Sequence, residues 1–414
     1  MLLDLSPLKR HRDFRLVFVG QLVSTFGGFF TYVALPVQIF DLTKSSAAVG
    51  MLGTVQLVPL AAAALWGGAF ADAIDRRRLL LVCEALMCAG SLALVANSLL
   101  PRPSVLVLFA VAAFISAVNG FHRPALEALT QKLVSVEELP AVSALTALRG
   151  TSASITAPAL AGLCIAAFGL PITFGVESAT FAVSLAALAA IRSMPPASDA
   201  QRPGLSSIFA GLAYAGRRPE LIGTYVVDIV AMTFAMPLAV FPALGEQWGG
   251  SAAVGSLYSA MSVGALLVTL FSKWTASVRR QGAAVVIAAA VWGLGVAALG
   301  LAASLPAAVA CLIVAGAADM VSGLFRMTIW NETIPPSLRG RMAAIEQLSY
   351  MTGPLLGNAR AGFAAERFGL GRSIVAGGLV CTACVAACVP LLPAFWRYRK
   401  TPAARALTDG APRA

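Results

Sequence analysis

Five ionisable side chains lie inside runs that are otherwise apolar: Asp228, Asp319, Glu177, Arg149 and Arg360. Charge inside a membrane-length apolar run is expensive, so each is a functional candidate by default. A carboxyl group shielded from bulk water suits reversible proton binding. Asp228, near the middle of its run, is the leading candidate for that role, and Asp319 and Glu177 are the further ones. The competing reading for Asp319, Glu177 and Arg149 is a paired structural charge. Glu84 and Glu346 fall near the ends of their runs and read as interfacial. His122 sits at a helix end and reads as structural.

The elements that must position these groups follow from composition. The chain has 414 residues, of which 58% are hydrophobic and only 12% charged. Its mean hydropathy is +0.82. A soluble protein carries about 25% charged residues, so soluble domains and disorder are excluded. Crossing a bilayer takes ~20 apolar residues, and twelve such runs are present: 16–40, 47–71, 79–99, 104–122, 141–167, 170–191, 219–243, 251–272, 282–303, 305–325, 342–365 and 372–396. No barrel alternation is visible, so the spans are helices and the fold class is all-α. The expected organisation is a 1–15 N-terminal segment, a 16–191 bundle, a 192–218 linker, a 219–396 bundle and a 397–414 tail. Ile208 to Ala215 reads as an amphipathic stretch on the membrane surface. The seven cysteines all lie in apolar runs and read as packing residues, with no metal or cofactor site.

Of the 30 Lys and Arg, 24 fall on one side of this arrangement and four on the other, Arg326 being counted with the 24. That asymmetry places both termini in the cytoplasm. It also explains the +11 charge as topology anchoring, without nucleic acid as a partner.

The chain repeats itself. Ser46-Ala47-Ala48-Val49-Gly50 recurs as Ser251-Ala252-Ala253-Val254-Gly255, and Gly120-x-x-Arg123 recurs as Gly323-x-x-Arg326. Ala157-Pro158 in the fifth span matches Gly353-Pro354 in the eleventh. An even number of spans between copies makes the two six-helix halves parallel, and such halves enclose a site near the midplane and rock about it. A secondary transporter is therefore expected, driven by an ion or substrate gradient. No nucleophile–base or metal constellation points to an enzyme.

The loop Gly68-Ala69-Phe70-Ala71-Asp72-Ala73-Ile74-Asp75-Arg76-Arg77-Arg78 resembles the signature loop of the major facilitator superfamily, with Ala73 and Asp75 departing from its pattern. Gly68 allows tight packing, Asp72 can pair across the halves, and Arg76 and Arg77 sit at the headgroups, which together make a gating loop. Pro158, in Ala157-Pro158-Ala159-Leu160-Ala161-Gly162, partly resembles an antiporter motif and is a candidate helix bend.

Other stretches make the whole chain similar to the enterobactin-exporter family of siderophore exporters. They include Phe14-Arg15-x-x-Phe18, Pro36-Val37-Gln38-Ile39, Pro242-Ala243-Leu244 and Leu257-Tyr258-x-Ala260. The resemblance implies proton-coupled export of a siderophore across a bacterial inner membrane, with an outer-membrane efflux protein as a further partner. It also implies that Arg149 or Arg360 attracts an anionic catecholate. A multidrug or macrolide proton antiporter shares the pattern and stays open, as does a non-transport role as membrane sensor or assembly factor.

Overall fold

The computed structural model describes residues 4–192, 213–335 and 338–399. Side chains at 64–73, 339–341, 343–345, 347 and 348 lie outside the described set. So do most of the linker, Ile208 to Phe209 and Ala210 to Leu212 of the expected surface stretch, and the tail beyond Arg399. Apolar runs in lipid satisfy their backbone polar groups internally, and the described residues accordingly fold as helices. Among the described residues, ten helices are long and apolar enough to cross a membrane. One of them hides two crossings. Gly169 takes φ 80°, a left-handed conformation that favours glycine, and Pro171 follows it. Both ends of that segment return to one face, where Glu138 meets His11 and Arg192 meets Asp13. Arg339–Phe368 completes a set of twelve.

In chain order the crossings are α1 (Arg12–Thr43), α2 (Ser46–Ala73), α3 (Arg76–Ser98), α4 (Val105–Lys132), α5 (139–168) and α6 (170–189). The second half holds α7 (Pro219–Ala235), α8 (Ser251–Leu270), α9 (Gln281–Leu299), α10 (Leu305–Thr333), α11 (Arg339–Phe368) and α12 (Leu370–Leu391). After α7 the chain breaks at Met236 and Pro237, then resumes as a short helix, Phe241–Trp248. Gly369, at φ 87°, turns the chain between α11 and α12 as Gly169 does between α5 and α6. The face that carries the terminal segments is called the terminal face below, and the opposite one the far face.

Each half has its own buried core, around Phe14, Leu80 and Phe174 in the first and Trp292, Phe325 and Phe241 in the second. Large apolar side chains such as Val58, Leu106 and Leu391 are exposed, as a lipid surrounding allows. The halves meet chiefly where α2 packs on α11 and α5 on α8. The repeated pentapeptide makes both contacts. A Cβ on Gly362 of α11 would lie 3.0 Å from the Gly50 Cα, and one on Gly162 of α5 would lie 2.9 Å from the Gly255 Cα. Small residues let the backbones approach this closely, which is how helices associate without a hydrophobic drive between them.

Polar contacts cross the same far-face seam. Lys44 Nζ lies 2.8 Å from Glu246 Oε1, and the Ser45 hydroxyl donates to Glu366 at 2.5 Å. The Glu246 carboxylate holds the Lys44 ammonium above the ordinary lysine range. That contribution is complete below the ordinary lysine pKa and is lost only as pH rises through the raised one, so Lys44 does not switch near neutrality. Both partners are more than half exposed, and such pairs are worth about 0–1 kcal/mol. Backbone packing at the glycines therefore outweighs the ion pair in closing the far face. Lys44→Ala should leave the closure nearly unchanged, whereas Gly162→Leu should wedge α5 from α8. Distances between spin labels at Asp41 and Arg367, in a background lacking native cysteines, check this. Equal distance distributions in the two variants would overturn the ranking.

Candidate functional site

Asp228, on α7, is buried and forms an ion pair with Arg326 of α10. Arg326 is itself 2% exposed. Its other guanidinium nitrogen lies 3.9 Å from Asp319, also on α10. Seven residues separate Asp319 from Arg326, two helical turns, so the two side chains share a face. They differ in access. Asp319 keeps 40% of its side-chain surface open, while Asp228 keeps 5%. The Arg326 guanidinium also lies 5.2 Å from the centre of the Tyr350 ring on α11, a cation–π contact. Tyr350 packs on Trp330, which stacks on Tyr225 and donates its indole N–H to the Thr224 hydroxyl at 2.9 Å. Three helices of the second half are thus tied to one cation. Arg326 Nε has no hydrogen-bond partner among the described residues, so the guanidinium is incompletely satisfied where it stands.

Arg326 corrects the sequence reading, which counted it among the topology anchors. The signal was present in its seven-residue spacing from Asp319. The repeat hid it, because its counterpart Arg123 is exposed.

The other candidates are placed elsewhere. Glu177 of α6 is buried in the first half and accepts a hydrogen bond from Thr31 of α1. Arg149 of α5 is half-buried, and its Nε has no hydrogen-bond partner among the described residues. Arg360 of α11 turns into the second half, where its Nε donates to the Thr233 carbonyl at 3.0 Å. Thr233 lies in the last turn of α7, so Arg360 satisfies a carbonyl left open by the break at Met236, as cations near helix C-termini do. The void beside it is about 10 Å³, too small for a ligand.

The signature-loop residues act within the first half as far as they are described. Asp75 caps α3 by accepting from the Arg78 N–H, and Arg77 donates to the carbonyls of Leu188 and Ala189 at the end of α6. Arg76 is buried. Asp72 lies outside the described side chains, and at Gly68 only the helical backbone is described. A buried network that no single run of sequence discloses joins four helices here. Glu84 of α3 accepts from Gln21 of α1 at 2.7 Å and from Ser184 of α6 at 3.0 Å, and lies 3.1 Å from the His122 ring of α4. Cys381 and Cys388 are buried in the second core.

Between the halves lies a cavity of about 160 Å³. Phe29 and Tyr32 of α1, Ser154 and Pro158 of α5, and Tyr258, Met261 and Ser262 of α8 line it, with Met236 and Leu238 beside the α7 break. Pro158 also stands at the crossing of α5 with α8, its carbonyl against Gly255.

The sequence profile of transmembrane secretion effectors, a branch of the major facilitator superfamily, matches residues 3–405. The enterobactin exporter EntS of Shigella boydii serotype 18 is 30% identical over 363 residues, 87% of each chain. The EntS protein of Escherichia coli O157:H7 is 29% identical over 411 residues, 99% of each chain. Among solved structures, a bacterial homologue of the human lysosomal transporter Spinster, in an inward-facing and unoccupied conformation, superposes with a TM-score of 0.75 at 15% identity, covering 95% of this chain and 100% of that one. A POT family transporter in complex with 5-aminolevulinic acid gives 0.72 at 12% identity, covering 93% and 97%. Those distant structures carry the fold, two parallel six-helix halves. A profile match over nearly the whole chain and full-length relatives carry the family: this multi-pass membrane protein is a transporter of the transmembrane secretion effector family of the major facilitator superfamily.

Proposed function

We propose that the protein exports a siderophore of the enterobactin type across a bacterial inner membrane, in exchange for protons, by rocking its two halves about the central cavity. Both termini are taken as cytoplasmic, on the strength of the charge asymmetry. The observation that carries the coupling is the Asp228–Arg326–Asp319 triad. Two carboxylates and one guanidinium leave a single net negative charge in an apolar bundle, and one proton removes it. Asp319 is the carboxylate with open surface, so it takes the proton, while Asp228 stays paired with Arg326. When Asp319 is ionised it competes for the same guanidinium, and the pull between α7 and α10 changes. A charge-dependent tie between helices is what converts protonation into movement.

The contacts described above join the halves toward their far ends, which suits a cavity loaded from the terminal face. Asp72 remains the proposed gate of the signature loop on that face, with Gly68 as its packing point. Arg149 remains a candidate to attract an anionic cargo. Arg360, bound to the α7 carbonyl, is left out of the cargo set. Glu177 is assigned to the first half's packing rather than to coupling. The cargo class rests on the full-length relatives named enterobactin exporter. A multidrug or macrolide antiporter is the second reading, favoured by the aromatic, methionine-bearing cavity wall.

Inside-out vesicles loaded by an acid-inside gradient test the reading. Enterobactin should accumulate, and a protonophore should abolish the accumulation. Macrolide uptake without enterobactin uptake would replace the proposal with the second reading.

Asp319→Asn should remove the pH dependence of uptake while the protein still inserts. Retained wild-type pH dependence would return Asp319 to a structural role. Arg326 left with no carboxylate is an uncompensated buried charge, which costs about 3–5 kcal/mol. The double variant Asp228→Asn with Asp319→Asn should therefore lose more stability than the two single variants combined, as thermal unfolding in detergent can measure.

A further inference from the structure

We propose that the end of α8, the start of α9 and the segment after α12 form a binding site for the headgroup of an anionic phospholipid, on the terminal face of the second half. The proposal does not depend on the cargo or on the direction of transport. Five cations carry it: Lys273, Arg279 and Arg280 between α8 and α9, and Arg397 and Arg399 beyond α12. All five are exposed, and their side chains make no ion pair or hydrogen bond among the described residues.

Packing brings the two segments together. After α12 comes a short helix, Pro393–Trp396, whose Phe395 is buried. A Cβ on Gly282, two residues after Arg280, would strike the Phe395 carbonyl and lie 3.4 Å from the Tyr398 Cβ. Arg279 and Arg280 therefore stand beside the turn that carries Arg397 and Arg399. The acids of this region are engaged elsewhere. Glu332 accepts from the Tyr398 hydroxyl at 3.2 Å, and Glu220 pairs with Arg218 at 3.5 Å. Gathered like charges repel one another, and a phosphate set among them relieves the repulsion.

The first half shows such arginines with partners from the protein. α3 begins at consecutive arginines, as α9 begins just after them. There Arg76 is buried, and Arg77 donates to the carbonyls of Leu188 and Ala189. At the start of α9 no such acceptor meets Arg279 or Arg280 among the described residues, so their anion comes from outside the chain.

The aromatic side chains choose a lipid over a soluble anion. Phe271, 71% exposed, ends α8, and a tight helical segment, Ser272–Ser277, carries Trp274, 46% exposed. Trp274 rests on Phe325 of the second core, ring centres 6.1 Å apart with planes at 64°, so it is held in place while part of it stays open. Tryptophan favours the level of the headgroups, with its apolar body toward the chains. The cations thus meet the phosphate, while Phe271 and Trp274 meet the glycerol and the upper acyl chain.

Native mass spectrometry of the full-length protein, with phosphatidylglycerol and phosphatidylcholine added in equal amounts, tests the site without any transport step. Wild type should retain phosphatidylglycerol in preference. Each cation at a membrane surface strengthens the hold on anionic lipid about fivefold, so Arg279→Gln with Arg280→Gln should lower the affinity for the first bound phosphatidylglycerol about 25-fold. Arg397→Gln with Arg399→Gln should do the same from the other segment, and decides the matter should the first variant fail to insert. Arg123→Gln with Lys132→Gln removes two exposed cations from the first half and should leave that affinity unchanged. An equal loss in this control would overturn the proposal, as would wild-type affinity in both patch variants. Displacement of the lipid by inorganic phosphate would assign the patch to soluble anions and overturn it as well.

Discussion

A carboxylate and a guanidinium stay ionised in an apolar bundle only by holding each other. The Asp228–Arg326 pair meets that constraint, and much of the second half is arranged around it. Tyr350 covers the cation from α11, Trp330 and Tyr225 extend the cluster toward the terminal face, and Asp319 waits one contact away. Each helix that contributes is one that a transporter must move. In the proposed coupling the pair is a joint as well as a structural bond, and Arg326 Nε has no hydrogen-bond partner among the described residues.

The first half is built differently. Its buried acid, Glu84, meets an amide, a hydroxyl and an imidazole from three other helices through one carboxylate oxygen, while the other has no hydrogen-bond partner among the described residues. Arg77 pins the start of α3 to the end of α6. The sequence repeat relates the two halves as folds, but the charges within them have diverged.

Much of this was legible in the residues. Twelve apolar runs, the repeated Ser-Ala-Ala-Val-Gly and the isolated Asp228 each announce their place, because hydropathy and small-residue spacing act locally along one helix. The pentapeptide even marks the two seams between halves, Gly50 against Gly362 and Gly162 against Gly255. What stayed hidden depends on partners from other helices. Arg326 follows an apolar run and looks like a membrane-edge charge until α7 brings Asp228 to it. Arg360 shows nothing in sequence of the Thr233 carbonyl that the break at Met236 leaves for its Nε to satisfy. Glu84 and His122 become a pair only when α3 and α4 pack. Two expected spans, the fifth and sixth, run together as one helical segment apart from Gly169, whose left-handed backbone makes the turn.

The triad also limits what such a machine can achieve. With two acids sharing one cation, one proton brings the triad to neutrality, so the proposed exchange would trade a single proton for each cargo. A proton falling through 100 mV releases about 2.3 kcal/mol, and one pH unit adds about 1.4 kcal/mol. Together they hold an uncharged cargo at an outward concentration ratio of roughly 500-fold and no more. A strongly accumulated product would need a second sink beyond the membrane, such as capture by a metal ion or onward removal. Under the proposed exchange, the thermodynamic ceiling of the pump would be written in one shared arginine.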